Sequence, residues 1–143
     1  MRVKIKLAEG AMAPTYTRKG DAGMDLRTME DFVIQPGECV KLRTGVSIQL
    51  PKHHAAYVIP RSGLAANHGI TCLNSPGLID GNYRGEIGVI LANLGNEPFE
   101  GSAGDRVAQL VISSRLPHVK WEQVEDLDES ERGNKGFGSS GVA

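Results

Sequence analysis

The chain is poor in the features that most readily announce a function. Of its 143 residues only two are cysteine, Cys39 and Cys72, with no paired spacing. This excludes a disulfide framework and any Cys/His zinc pattern, and leaves two small thiols expected to be buried in strands. The histidines form no ligand set either. His53 and His54 are adjacent, so in a strand their side chains would point to opposite faces, and His68 and His118 are solitary. No apolar run approaches the roughly 18 residues of a membrane span, and no charged-then-apolar leader opens the chain. The expectation is a soluble protein of the cytoplasm or another intracellular compartment, without a membrane partner. Sixteen Lys and Arg face seventeen Asp and Glu, for a net charge of −1. Such a surface has no global field to draw in nucleic acid, so an anion would have to be bound locally. Helical periodicity is also scarce: only Ser62 to Asn67 reads as helical, for a turn or so.

Turns and short alternating runs are plentiful. Glycine (18) and proline (7) together exceed their usual share of roughly 12% and punctuate the whole length. Between them Val3, Ile5 and Leu7 alternate with Lys4 and Lys6, and Val46, Ile48 and Leu50 alternate with Ser47 and Gln49. Ile87, Val89 and Leu91 form one face of another run, and Val107 to Ile112 reads as a more buried strand. Strands at this spacing in a chain of one-domain length predict an antiparallel sandwich, jelly roll or barrel. The domain is expected to occupy 1–127. The acidic stretch Asp126 to Glu131 then separates it from a C-terminal arm, 128–143.

Polar residues gather in five segments. Ala22-Gly23-Met24-Asp25-Leu26 puts a carboxylate at the start of a strand, where turn chemistry is an equally simple reading. In Pro60-Arg61-Ser62-Gly63-Leu64-Ala65, the Ser62 hydroxyl either caps a helical turn or joins Arg61 and the free N–H groups in holding an anion. The two roles are compatible. The stretch Asn74 to Gly85 has the turn density of a β-hairpin. Its bend would offer backbone donors and acceptors to a flat base, and Asn74 adds an amide. Asp80 within it is either an Asx-turn residue or a carboxylate that holds and deprotonates a water. In Gly104 to Leu110, Asp105 and Arg106 read as a local ion pair or a site contribution, and Gln109 in an apolar strand must find a partner.

The fifth segment is the tail, Arg132 to Ala143. It holds four glycines, two cations, the hydroxyls of Ser139 and Ser140, and one ring, Phe137. An isolated tail of this kind would fray. Its parts are also those needed to close over a phosphate chain carrying a base. Gly133 and Gly138 have P-loop separation, but Ser139 stands where the lysine is required, which argues against a Walker-type nucleotide enzyme.

In this order, the five segments resemble the five motifs of the trimeric deoxyuridine triphosphatases, from Ala22 to Gly141. The resemblance implies an all-β jelly-roll subunit with one short helix and a flexible C-terminal arm, assembled as a homotrimer with shared active sites. It implies hydrolysis of dUTP to dUMP and pyrophosphate by water attack at the α-phosphorus, which limits uracil in DNA and supplies dUMP for thymidylate synthesis. Asp80 then corresponds to the residue that activates the water. Asp25 corresponds to the aspartate that holds waters around a Mg²⁺ carried by the triphosphate. Arg61, Ser62, Gly63 and Gln109 match the phosphate-side residues, and Tyr83 the tyrosine beneath the deoxyribose. Asn74, Gly77 and Ile79 fall where the base is read. Arg132, Phe137, Gly138, Ser139 and Ser140 match the arm, with the ring stacking on uracil. Ser140 stands where threonine is commoner, and a hydroxyl is retained.

Two rival readings share this fold. A dCTP deaminase usually carries tryptophan where this chain has Tyr83, and a catalytic glutamate where it has Ile90, which cannot move a proton. A non-catalytic nucleotide-binding regulator would have no need of Asp80 together with the whole arm.

Overall fold

A computed structural model describes residues 1–134. The strands are β1 (Lys4–Leu7), β2 (Met24–Arg27), β3 (Phe32–Ile34), β4 (Cys39–Arg43), β5 (Val46–Gln49) and β6 (Ala56–Ile59). The single helix among the described residues, α1 (Ser62–His68), follows. The chain continues through β7 (Ile70–Cys72), β8 (Gly77–Ile79), β9 (Gly88–Asn93), β10 (Phe99–Gly101) and β11 (Arg106–Ile112). Every ladder is antiparallel. A four-stranded sheet runs β2-β11-β6-β8 and a three-stranded sheet β4-β9-β7, with the two-stranded ladders β1-β5 and β3-β10 beside them. The subunit is therefore the all-β, jelly-roll-like domain with one short helix that the sequence implies.

The alternating runs become the core. Leu42, Val46, Ile87, Val89, Leu91, Val107 and Leu110 are almost wholly buried in one continuous cluster. Each such aliphatic side chain is worth about 1.5–3 kcal/mol relative to exposure. Asn93 is completely buried and fully paired. Its Nδ2 donates to the carbonyls of Ile34 (2.9 Å) and Glu97 (2.8 Å), and its Oδ1 accepts from Gly95 N–H (2.9 Å). This one amide ties β9 to β3 and closes the 93–97 turn, and its three bonds offset the cost of desolvating it.

Helix α1 stops for a local reason. Gly69 sits in the left-handed region (φ 68°, ψ 19°), and its N–H closes the last turn onto Ala65 and Leu64 carbonyls. A Cβ here would also lie 2.6 Å from the Gly95 nitrogen, so only glycine fits.

One expectation is corrected, and two segments differ in detail. Cys39 is exposed on β4, and only Cys72 is buried. His53 and His54 lie in a turn after Pro51, not in a strand, with His53 at φ 63°. β1 forms with the expected alternation, yet both of its faces are exposed, because its one partner, β5, covers only an edge. Among the described residues the last strand ends at Ile112. Residues 113–134 carry no helix or strand, and no helix among the described residues is long and apolar enough to cross a membrane.

Candidate active site

At the end of the four-stranded sheet where β6 leads into α1, an open bowl of about 520 Å³ is lined by Asp25, Arg61, Ser62, Gly63, Arg106 and Gln109, among others. Asp25 is its fixed point. It is the second residue of β2 and only 7% exposed. Thr17 Oγ1 donates to its Oδ2 at 2.7 Å, Arg106 Nη1 lies 3.4 Å from the same oxygen, and Arg61 Nε lies 3.6 Å from Oδ1. Arg61 Nη1 also donates to the Arg106 carbonyl at 2.7 Å. Two guanidinium groups thus share one carboxylate, so the bowl keeps a surplus positive charge for an anionic ligand.

Neighbouring strands bring the remaining groups. Gln109 on β11 is in register with Asp25 on one side and Ile59 on the other. Arg106 and Gln109 are three residues apart and would face opposite ways in a regular strand. A register shift between Arg106 and Ala108 inserts one residue, so both line the bowl. Arg61 serves as the N-cap of α1, and no side chain caps the helix. The Ser62 hydroxyl is therefore not spent on capping. Ser62 and Gly63 precede the first intrahelical bond, Ala65 N–H to Arg61 O at 3.1 Å, so their own N–H groups open toward the bowl.

The Asn74–Gly85 stretch is not a hairpin. Only Gly77–Ile79 is a strand, and it pairs with β6. β9, the next strand, has both edges occupied by β4 and β7, so β8 cannot fold back onto it. β8 is instead the margin of the four-stranded sheet, and among the described residues no strand pairs with its outer edge. The Asn74 amide lies against Gly77, where an added Cβ would come within 3.1 Å of Nδ2. Tyr83 N–H donates to the Asp80 carbonyl at 3.0 Å, and Tyr83 O–H donates to the Glu86 carbonyl at 3.0 Å. The Asp80 carboxylate is exposed and lines a separate, larger cavity of about 1140 Å³ with Tyr57, Leu78 and Arg84.

A family model described as dUTPase matches residues 9–141. The deoxyuridine 5'-triphosphate nucleotidohydrolase of Clostridium novyi is 51% identical, over 96% of each chain. That of Trichodesmium erythraeum is 49% identical, over 99% of this chain and 100% of its own. Among solved structures, the Staphylococcus bacteriophage 80alpha dUTPase with dUPNHPP superposes with a TM-score of 0.87 at 30% identity, covering 99% of each chain. The chain belongs to the dUTPase family.

Seen as a dUTPase, the subunit divides its expected site residues into two groups. Asp25, Arg61, Ser62, Gly63 and Gln109 come together in one bowl. Asn74, Gly77, Ile79, Asp80 and Tyr83 follow the β8 margin, and Asp80 lies in the other cavity. Arg132 is exposed beyond the last strand, and Phe137, Gly138, Ser139 and Ser140 lie outside the described residues. Sequence reasoning left one contributor to the bowl open, Arg106, and missed another, Thr17. Arg106 is not Asp105's ion-pair partner, since Asp105 instead accepts the Ser102 N–H (2.8 Å) while Arg106 reaches Asp25. Thr17 orients Asp25. The bulge that turns Arg106 inward has no sequence signal, whereas a hydroxyl eight residues before a candidate carboxylate could have been noticed.

Proposed function

We propose that this chain is a dUTP diphosphatase: water attacks the α-phosphorus of dUTP, the bond to the bridging oxygen breaks, and dUMP and pyrophosphate leave. The observation that carries this reading is the surplus of guanidinium charge around buried Asp25, beside Ser62 and Gln109. Such an arrangement grips a triphosphate and neutralises charge on the leaving pyrophosphate. Asp80 is the general base. Its carboxylate makes no hydrogen bond to the other described residues, which leaves it open to hold a water and take its proton. The open margin of β8, with Asn74, pairs with O4 and N3–H of uracil, and cytosine presents the opposite pattern. Tyr83 lies beneath the deoxyribose and occupies the space of a 2′-hydroxyl. Residues 1–127 form the catalytic β domain and 128–143 the arm, with Arg132, Ser139 and Ser140 on phosphate and Phe137 over the base.

The donor set fits Mg²⁺ in one way. Among the described residues no three His, Cys, Asp or Glu side chains converge, and both Asp25 oxygens already have partners. Asp25 would therefore reach the ion through water, with the phosphates as its main ligands. Bound there, Mg²⁺ supplies additional charge neutralisation to the phosphates.

Asp25 and Asp80 belong to opposite margins of one sheet. Three strand spacings of about 4.8 Å put them on the order of 14 Å apart laterally. Both groups must nevertheless serve one nucleotide. We therefore assign each complete site to a junction between subunits of a homotrimer. Incubation with dUTP and with dCTP, scored for pyrophosphate and for ammonia, tests the reaction. Pyrophosphate from dUTP without ammonia is expected. Ammonia from dCTP would indicate a deaminase, and nucleotide binding with neither product a regulator.

A further inference from the structure

Tyr83 is 44% exposed, and an exposed tyrosine ring is free to swing unless something holds it. Here two residues hold it. Gly85 lies beneath the ring: a Cβ at that position would meet Tyr83 Oη at 2.4 Å and Cζ at 2.6 Å, so any larger residue pushes the ring away. The Glu86 carbonyl then takes the phenol hydrogen at 3.0 Å.

Glu86 is itself anchored to the bend between β4 and β5. One carboxylate oxygen accepts Gly45 N–H at 2.9 Å, and the other lies 3.1 Å from Arg43 Nη2. The Arg43 hydrogen bond and the Gly45 N–H hold its carboxyl below the usual carboxylate range. The bend is tied to the core. Thr44 is 1% exposed and donates to the Ile87 carbonyl at 2.6 Å, and Ile87 N–H donates to Val46 O at 2.7 Å. A continuous chain of contacts thus runs from the buried core through Glu86 to the phenol.

We propose that Gly85 and Glu86 are positioning residues that fix the Tyr83 ring and so set the discrimination between deoxyribose and ribose. The inference rests on the placement of Tyr83 beneath the sugar. The Arg43–Glu86 pair is largely exposed, with side chains 59% and 32% accessible, and pairs of this kind add little to stability. Their consequence is direction: they remove the freedom of one rotor facing the ligand, and misplacing a positioned group by about 1 Å can cost on the order of 10²-fold.

The test measures kcat/KM for dUTP and UTP, with Tm, in the full-length protein and in Tyr83→Ala, Tyr83→Phe, Gly85→Ala, Glu86→Ala and Glu86→Gln. Tyr83→Ala should abolish most of the dUTP preference. Gly85→Ala and Glu86→Ala should lower the dUTP:UTP ratio by roughly tenfold, about the worth of one well-placed hydrogen bond, with little change in Tm. Glu86→Gln keeps an oxygen for Gly45 N–H and should recover most of the ratio. Tyr83→Phe loses only the phenol bond and should fall between, so it carries the test if an alanine variant does not fold. If Tyr83→Ala loses the preference while Gly85→Ala, Glu86→Ala and Tyr83→Phe keep it, the positioning role is wrong and the Tyr83 reading survives. If Tyr83→Ala keeps the preference, the Tyr83 reading fails and this inference goes with it.

Discussion

At the scale of single residues, Asp25 and Asp80 show how environment divides labour between like groups. Asp25 is buried between two guanidinium groups and a hydroxyl, which fix its orientation beside Arg61 and Arg106. Asp80 is exposed on a turn where its backbone carbonyl accepts Tyr83 N–H, and among the described residues its carboxylate makes no hydrogen bond, which leaves it open to a water. Asp80→Asn is expected to lower kcat by about 10²-fold or more while nucleotide affinity, measured by calorimetry with a non-hydrolysed analogue, stays nearly intact. Near-normal turnover would remove Asp80 from the mechanism. The cysteines divide in a similar way. Burial pushes the Cys72 thiol up to about 11, so almost no thiolate exists at pH 8, whereas Cys39 is exposed. Alkylation under native conditions should modify Cys39 alone, and peptide mass spectrometry reads this directly; equal labelling of both would mean β7 opens readily. The sequence suggested two equivalent buried thiols because a cysteine in a strand pattern reveals nothing about which face of which sheet it will occupy.

At the scale of elements, the legible features were those fixed by local chemistry. Helix α1 was visible from Ser62 to Asn67, and it runs one residue further to His68 before Gly69 ends it. The Val46 and Ile87 runs became buried strands because alternation maps directly onto a sheet face. What could not be read was pairing. Nothing in Asn74–Gly85 shows that β9 is already flanked by β4 and β7, so the turn density suggested a hairpin where the structure has a sheet margin. The bulge that turns Arg106 toward Asp25 was hidden for the same reason: it exists only relative to a partner strand. Gly69 joins the two kinds of information. Its αL geometry is local, but the 2.6 Å approach to Gly95 is tertiary. Gly69→Ala should therefore destabilise the domain by about 2 kcal/mol, above the roughly 1 kcal/mol of the backbone term alone, as measured by urea denaturation. A loss near or below 1 kcal/mol would mean the 93–97 turn relaxes to admit the methyl group.

At the scale of the whole molecule, one subunit presents its parts in separate places, and this separation decides the last experiment. The bowl around Asp25 and the Asp80 carboxylate occupy different cavities. Past Ile112, the last strand among the described residues, the chain stays tied to the body through Ser113 N–H on the Ala55 carbonyl (2.8 Å) and Leu116 N–H on the His53 carbonyl (2.6 Å), and residues 114–134 are exposed, with Trp121 93% accessible. From Arg132 onward the tail spans at most about 40 Å when extended, at roughly 3.3–3.6 Å per residue, and the acidic stretch Asp126 to Glu131 lengthens that reach. An arm of this length can serve a pocket on another subunit. If each site takes Asp80 and its arm from different chains of a trimer, two inactive variants should complement each other. One is Asp80→Asn with its arm intact; the other is truncated after Glu131 with Asp80 intact. A mixed trimer then contains pockets that pair a working aspartate from the truncated chain with a working arm from the substituted chain. Co-expression under two affinity tags, with purification through both, isolates such trimers, and dUTP hydrolysis well above either parent is expected. Verified mixed trimers that remain as inactive as the parents would mean the arm closes over the Asp80 of its own chain. The separation of the two cavities would then have to be bridged within one subunit by residues 113–143.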